Sequence, residues 1–420
     1  MSTRRYPAYK PSGVEWLGEV PSHWDIAPYK RLVDIQNGAD HKNVEQDEGY
    51  PVIGSGGVFA HASEYLYDGE AVLLGRKGTI DKPLHVNGRF WTVDTMYWAK
   101  ITPGTSGKFA YYEALTIPFS YYSTSTALPS MTKGALGAHL VAQPPSDEQY
   151  TIAAFLDRET AKIDALIAEQ ERLIALLREK RQAVISQAVT KGLDPTVPMK
   201  DSGVEWLGIV PEHWTISHIK RLCQKITDGA HISPETEDGV YDFISTRDLG
   251  DNEIVFDGCL KTSVASYEYL MRTGCQPHDG DILFSKDGTI GKTVLVAVDH
   301  PFVVASSLII IRPDHQRVDK NYFNWLLRSG TVACQVEQFV RGAGLPRLSI
   351  QNLLRVIGTF PPFEEQISIA KYIHSESQRF SGLIEEANRL NILLRERRAA
   401  LISAAVTGKI DVREAVQEAA

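Results

Sequence analysis

Two short basic loops carry the residues with the clearest capacity for chemistry. Leu73–Pro83 reads LLGRKGTIDKP and Leu283–Thr293 reads LFSKDGTIGKT. The Gly291-Lys292-Thr293 ending matches the end of a phosphate-cradling P-loop, in which backbone N–H groups and a lysine hold a nucleotide. That loop needs a glycine five residues before Gly291, where Lys286 stands instead, and the first copy has Asp81, Lys82 and Pro83 in place of Gly-Lys-Thr. Nucleotide hydrolysis is therefore not supported. A turn that offers backbone N–H groups and cations to a DNA phosphate fits Arg76, Lys77, Lys82, Lys286, Thr289 and Lys292. A plain solvated hairpin stays open for each of them.

Further candidates for contacting DNA are Arg89, His231, Arg247 and Arg347, because base edges and phosphates are read chiefly by Arg, Lys, Asn, Gln and polar side chains. His231 lies in ITDGAHISP (Ile226 to Pro234), which reads equally well as an ordered loop. No catalytic constellation is found. The chain lacks an Asp/Asn-Pro-Pro-aromatic methyltransferase signature, Gly-x-Gly-x-x-Gly, His-Glu-x-x-His and Gly-x-Ser-x-Gly. No metal site is read either: His23 and His213 each adjoin a tryptophan, which favours packing. The four cysteines (Cys223, Cys259, Cys275, Cys334) form no Cys-x-x-Cys pair and read as small buried hydrophobes of a reducing cytoplasm.

The elements that hold these loops emerge when the chain is aligned on itself. SGVEWLGEVPSHW (Ser12–Trp24) returns as SGVEWLGIVPEHW (Ser202–Trp214) at an offset of 190 residues. Lys30-Arg31-Leu32 returns as Lys220-Arg221-Leu222 at the same offset; the Gly-Thr-Ile loops lie 210 apart. ALPSMT (Ala127–Thr132) lies on GLPRLS (Gly344–Ser349) at 217, an offset that then holds without a gap through PPSDEQYTIAAFLD and PPFEEQISIAKYIH to LREKRQAVIS and LRERRAALIS. The chain is two tandem copies of one unit, close at both ends and divergent over 33–126 and 223–343. Identical ends around unlike middles suggest one kind of partner and two different targets. The 420 residues allow several domains, 43% are apolar, and no apolar run approaches a membrane span. A net charge of −8 weighs against a simple basic nucleic-acid binder, but the relevant field is local.

Each unit closes with a long helix. Steps of three and four mark Leu156, Ile163, Leu166, Leu173, Leu177 and Val184 in the first, and Ile373, Phe380, Leu383, Leu390, Leu394 and Leu401 in the second. A stripe of that period is a coiled-coil seam. The Pro-Pro breaker, Ser146 with Gln149 as a capping box, and Gly192 and Gly408 as stops bound the helices. Such seams must be buried, and each finds its match in its own duplicate. An antiparallel pairing would set the two variable domains at opposite ends. Alternating runs such as EAVLLG, GDILFS and FVVASSLIIIR mark the variable segments as β-rich, with a helix near Asn321–Leu327.

The paired SGVEWLG-x-VP-x-HW openings, the paired P-P-x-x-E-Q-x-x-I-A helix starts and the helix ends in Ala-Val-Thr together resemble the specificity subunit of type I restriction–modification systems, over essentially the whole chain. The resemblance implies an α+β fold: two mixed β-rich target recognition domains (1–143 and 193–360), joined by two long helices (144–192 and 361–420) that pair as an antiparallel coiled coil with a pseudo-two-fold repeat. It implies a non-catalytic, cytoplasmic subunit that reads double-stranded DNA at a bipartite asymmetric site. Two modification subunits, adenine N6 methyltransferases using S-adenosylmethionine, and two restriction subunits using ATP and Mg²⁺ would be its partners. The chain itself needs no cofactor. Trp16, Trp24, Trp206 and Trp214 are then framework residues that anchor each domain to its helix, with partner contact as the open alternative. A double-headed protein adaptor that never touches DNA is the competing reading.

Overall fold

The computed structural model describes residues 4–123, 129–231, 235, 239–340 and 347–414. Ala127 and Leu128, Gly344–Pro346 and Ile232–Pro234, which the sequence alignment and the His231 loop invoke, lie outside them. The chain divides into two units, one of residues 1–171 with 388–420, the other of residues 172–387. Each long helix is thus shared, and each unit holds half of both.

The first unit is built on a four-stranded antiparallel sheet in the order Leu84–Val86, Ala71–Gly75, Met96–Ile101, Val33–Asn37. The central Ala71–Gly75 strand is buried throughout, as expected for AVLLG covered on both faces. A second sheet runs Glu45–Gln46, Gly57–Ala62, Tyr50–Gly54, Arg89–Thr92, Tyr67–Asp68, with Tyr50–Gly54 and Arg89–Thr92 parallel. RFWTVDTMYWAKI therefore splits between two sheets at the turn after Thr92. The ends of the variable segment are closed by Asp25–Pro28 pairing with Leu140–Gln143.

The second unit repeats the scaffold. Its sheet order Thr293–Leu295, Ile282–Ser285, Leu308–Pro313, Cys223–Asp228 matches strand for strand, and Thr215–His218 pairs with Ile357–Phe360 as the closing pair. The elaboration differs. Three strands (Leu260–Thr262, Tyr241–Ile244, Phe302–Val304) and the helix Val264–Arg272 stand where the first unit has its five-stranded sheet. The helix expected near Asn321 spans Lys320–Leu327, with the Asp319 side chain accepting from the Tyr322 N–H as its cap.

The long helices run Ser146–Lys191 and Phe363–Val406, and Gly192 and Gly408 follow in left-handed geometry at φ 74° and 71°. Within the first unit Ile163, Ile167 and Leu394 share one apolar cluster, with Leu401 packed on it, and Asp164 and Glu171 pair with Arg398 and Arg395. Within the second, Ile185, Ala188 and Val189 cluster with Ile369, Ala370 and Ile373. Rising numbers on one helix meet falling numbers on the other, so both halves pack antiparallel.

Two expectations are corrected here. Leu166 and Leu173 are exposed, as are Leu383 and Leu390; the buried positions one residue over are Ile167, Ile174 and Asn391. Leu156, Ile163, Ile373, Phe380 and Leu394 are buried, while Leu177, Val184 and Leu401 are half-buried. Gln149 does not close a capping box. Its buried amide donates to the Pro144 carbonyl (3.0 Å) and accepts from the Ser106 N–H (3.1 Å), tying the helix start to the helix Gly107–Ala114. Gln366 does the same with Pro361 (2.9 Å) and the Asp319 N–H (2.8 Å).

Candidate nucleic-acid interface

Both Gly-Thr-Ile loops join antiparallel partners in the scaffold sheet, Ala71–Gly75 with Leu84–Val86 and Ile282–Ser285 with Thr293–Leu295. A P-loop leads from a strand into a helix. The hairpin geometry therefore removes the nucleotide reading of Gly291-Lys292-Thr293.

The chain returns to each loop at the same point. Lys77 bridges Ser130 and the Arg76 carbonyl accepts from the Met131 N–H (3.0 Å); in the other unit Asp287 bridges Arg347 and the Lys286 carbonyl accepts from Leu348 (3.0 Å). The positive charge thus sits on the loop in the first unit, at Lys77, and on the returning strand in the second, at Arg347. Arg347 Nε pairs with Asp287 at 3.0 Å.

The remaining candidates divide by exposure. Lys77, Lys82 and Thr289 are exposed. Arg247 is exposed and donates to its neighbour Asp248 at 3.2 Å. Arg76 is half-buried, donating to the Asp94 carbonyl (3.2 Å) over the Tyr97 ring. Arg89 pairs with Asp68 (2.8 Å) and lies over the rings of Tyr50 and Tyr65; the Asp68 hydrogen bond holds its pKa above the ordinary value. Solvent screens an exposed pair of this kind, so a phosphate can compete for the arginine.

Lys286 corrects the expectation. Its side chain is buried and its Nζ lies 2.8 Å from Asp228 Oδ1, while Asp228 Oδ2 meets His231 Nε2 at 3.0 Å. Moving that ammonium to a phosphate would strand a carboxylate, so Lys286 acts within the loop's scaffold. Lys292 is half-buried, its Nζ donating to the Leu249 carbonyl. Among the described residues no group of His, Cys, Asp and Glu is placed to hold a metal ion.

The repeated phrases form a second site, built twice from the same chemistry. In the first unit Trp24 is fully buried, and a Cβ on Gly408 would lie 3.0 Å from its ring; His23 Nε2 pairs with Glu148 at 2.9 Å. In the second unit Trp214 is buried, a Cβ on Gly192 would lie 3.2 Å from its ring, and His213 Nε2 pairs with Glu365 at 2.8 Å. Each His-Trp pair therefore clasps the end of one long helix and the first turn of the other. One bond differs. Trp214 Nε1 donates to Glu365 Oε1 (3.1 Å), whereas Glu148 Oε1 takes the Tyr6 hydroxyl (2.6 Å) and Trp24 Nε1 has no partner among the described residues. Trp16 and Trp206 are only half-covered; Trp16 stacks on His139 and donates to the Leu140 carbonyl (3.3 Å). The sequence anticipated Trp24 and Trp214 as anchors, gave Gln149 a different role and none to Glu148, Glu365 and Gln366, although all four stand in the repeated P-P-x-x-E-Q phrase.

A duplicated α/β scaffold with variable inserts and antiparallel long helices defines a class of two-headed recognition proteins. The family model for the type I restriction modification DNA specificity domain matches residues 21–175 and 211–389, and the chain belongs to that family. The type I restriction enzyme EcoBI specificity subunit of Escherichia coli is 22% identical over 393 residues, 86% of this chain and 80% of that protein. The MjaVIII specificity subunit of Methanocaldococcus jannaschii is 23% identical over 69% of this chain and 66% of that one. A solved structure concerned with complex assembly and conformational transition of the type I R-M system contains a chain with the same fold, at a TM-score of 0.68, 14% identity and coverage of 92% and 98%. The chain is accordingly a non-catalytic component with a DNA sequence-specificity role, within a system whose activities lie in other subunits. No helix among the described residues is long and apolar enough to cross a membrane.

Proposed function

We propose that this chain reads a bipartite, asymmetric double-stranded DNA site, one half through each variable domain, and seats the modification and restriction subunits that act there. The observation that carries the reading is the contrast between two clasps of the same chemistry (His23–Glu148 with Trp24–Gly408, His213–Glu365 with Trp214–Gly192) and two unlike inserts on one scaffold sheet. A surface presented twice suits two identical partners. Unlike heads suit two unlike half-sites.

Lys77, Lys82 and Arg89 in the first domain, and Arg247, Thr289 and Arg347 in the second, all exposed, are the side chains that would meet the duplex. The uncovered apolar side chains Leu166, Leu173 and Leu176, and Leu383, Leu390 and Leu393 on the second helix, support helix-borne docking of partners. Those partners would bring S-adenosylmethionine for adenine N6 methylation, and ATP with Mg²⁺ for translocation and cleavage. The stoichiometry expected is two modification and two restriction subunits, in the cytoplasm.

Co-expression with the cognate modification subunit, followed by mapping of methylated adenines, tests the proposal. A two-part motif with a fixed gap is expected; an unchanged methylome contradicts it.

A further inference from the structure

Two arginines one repeat apart do different work. Arg398, on the second long helix, binds Asp164 on the first through Nε (2.8 Å) and Nη2 (3.2 Å), a bond from helix to helix within the first unit. Its duplicate is Arg181, and the duplicate of Asp164 is Ser381, which accepts from Arg181 Nη1 at 3.3 Å. The second unit thus lost the helix-borne carboxylate. The charge is supplied from its variable segment: Asp251 Oδ2 lies 3.0 Å from Arg181 Nη1, and Asp251 Oδ1 lies 2.8 Å from Arg328 Nη2. Arg328 also donates to Asn252 Oδ1 (2.8 Å) and lies over the Trp325 ring. Burial pulls the Arg328 guanidinium below its ordinary pKa, and Asp251 opposes that pull.

The first domain meets its arginine without a loop carboxylate, since Arg398 also bonds the Tyr111 side chain. Its short helix Gly107–Ala114 is tied directly to the long helix, with the Tyr112 hydroxyl donating to Asp157 (2.7 Å) and Lys108 pairing with the same carboxylate (3.2 Å). In the second unit the duplicates of Asp157 and Thr160 are His374 and Ser377, which line a cavity of about 440 Å³ with Trp325 and Gly382. The buried Ser377 hydroxyl has no partner among the described residues. The domain is attached there at other points, with Gln182 Nε2 donating to the Arg328 carbonyl (2.8 Å) and the Gly330 N–H donating to Ser186 Oγ (2.9 Å), and the Arg181–Asp251–Arg328 bond adds the turn after Leu249 to that attachment.

Asp251 sits in the turn Gly250–Glu253, closed by the Gly250 N–H donating to the Glu253 carbonyl at 2.8 Å. The 3-10 helix Thr246–Asp248 just before that turn carries Arg247, and the Leu249 carbonyl accepts from Lys292. One candidate DNA-contacting cation, Arg247, therefore hangs on the segment that Asp251 ties down, and Lys292 braces that segment. Displacements of about 1 Å in a supporting residue are enough to spoil a geometry-dependent contact.

We propose that Asp251, held between Arg181 and Arg328, is a positioning residue that sets the 245–255 segment of the second domain against the long helices, and so sets the fidelity of one DNA half-site. The proposal rests on the DNA-specificity reading above. It is tested on the full chain assembled with its modification subunits, by methylation rates on duplexes carrying single-base changes in either half of the motif. Asp251→Ala is expected to relax discrimination by about tenfold in one half and leave the other unchanged. Asp251→Asn, which keeps the turn's shape, is expected to shift the same half in the same direction. Adding Ser381→Asp to Asp251→Ala returns to Arg181 the carboxylate that Asp164 gives Arg398, without any tie to the domain; discrimination is expected to stay relaxed. Recovery of discrimination in that double variant, a loss spread equally over both halves, or unchanged discrimination in both single variants overturns the proposal. Absence of sequence-specific methylation by the unaltered complex would count instead against the DNA reading itself.

Discussion

The two units solve one packing problem with the same residues and two recognition problems with different ones. Their scaffold sheets share strand order, their closing strand pairs share register, and their His-Trp clasps share partners. Outside that frame the first unit adds a five-stranded sheet with a hairpin at Tyr50–Ala62, and the second adds a three-stranded sheet and a helix. Between the two copies the clasp residues at the helix ends repeat, whereas the inserts do not.

The clasps give the largest expected effects. Trp24→Ala and Trp214→Ala each remove a fully buried indole and should cost about 3–5 kcal/mol in denaturant unfolding. Trp214→Ala should be the worse, because it also leaves Glu365 Oε1 without its donor. Equal costs would show that the Trp214 bond adds nothing.

The helix seam comes next. Ile167→Ala should destabilise by roughly 2–4 kcal/mol, while Leu166→Ala, one residue away and exposed, should stay within about 0.5 kcal/mol in the isolated chain. The reverse order would restore the stripe read from the sequence.

A pH comparison separates the units further. Burial pulls the His139 imidazole down to about 4, and the duplicate position is Val356. A folded pKa below the unfolded value of 6.5 gives stability that is present above pH 6.5 and lost as the pH falls toward 4. Thermal melts of His139→Val against the unaltered chain should show that slope removed. Glu113, buried and held well above the ordinary carboxyl range by desolvation, has the opposite sign: its contribution is present at low pH and lost as the pH rises, so Glu113→Gln should stabilise at neutral pH.

The helix-ending glycines give the smallest difference. Both take positive φ, which costs a residue with a Cβ about 1–2 kcal/mol. Gly408→Ala should exceed Gly192→Ala, since its Cβ would meet Pro21 Cδ at 2.3 Å where that of Gly192 first meets the Trp214 ring at 3.2 Å.

The sequence carried the duplication, the starts of both long helices with their glycine stops, and Trp24 and Trp214 as anchors, because each rests on a repeated local phrase; the second helix ends at Val406, short of the 420 expected, and Trp16 and Trp206 are exposed. It misplaced the seam because Leu166 and Ile167, and again Leu173 and Ile174, are adjacent apolar residues, and a period near 3.5 fits either stripe. Lys286 looked free because Asp228, which buries it, lies in a distant strand. The bond of Arg181 to Asp251 was out of reach for the same reason, although the loss of an aspartate at Ser381 was visible in the self-alignment.

The most direct test of two independent readers on one repeated frame is to replace residues 33–126 with the corresponding segment of another family member and map the methylation motif of the assembled complex. One half of the motif should change, with the other half and the gap kept. A motif altered in both halves, or unaltered in either, would contradict the account.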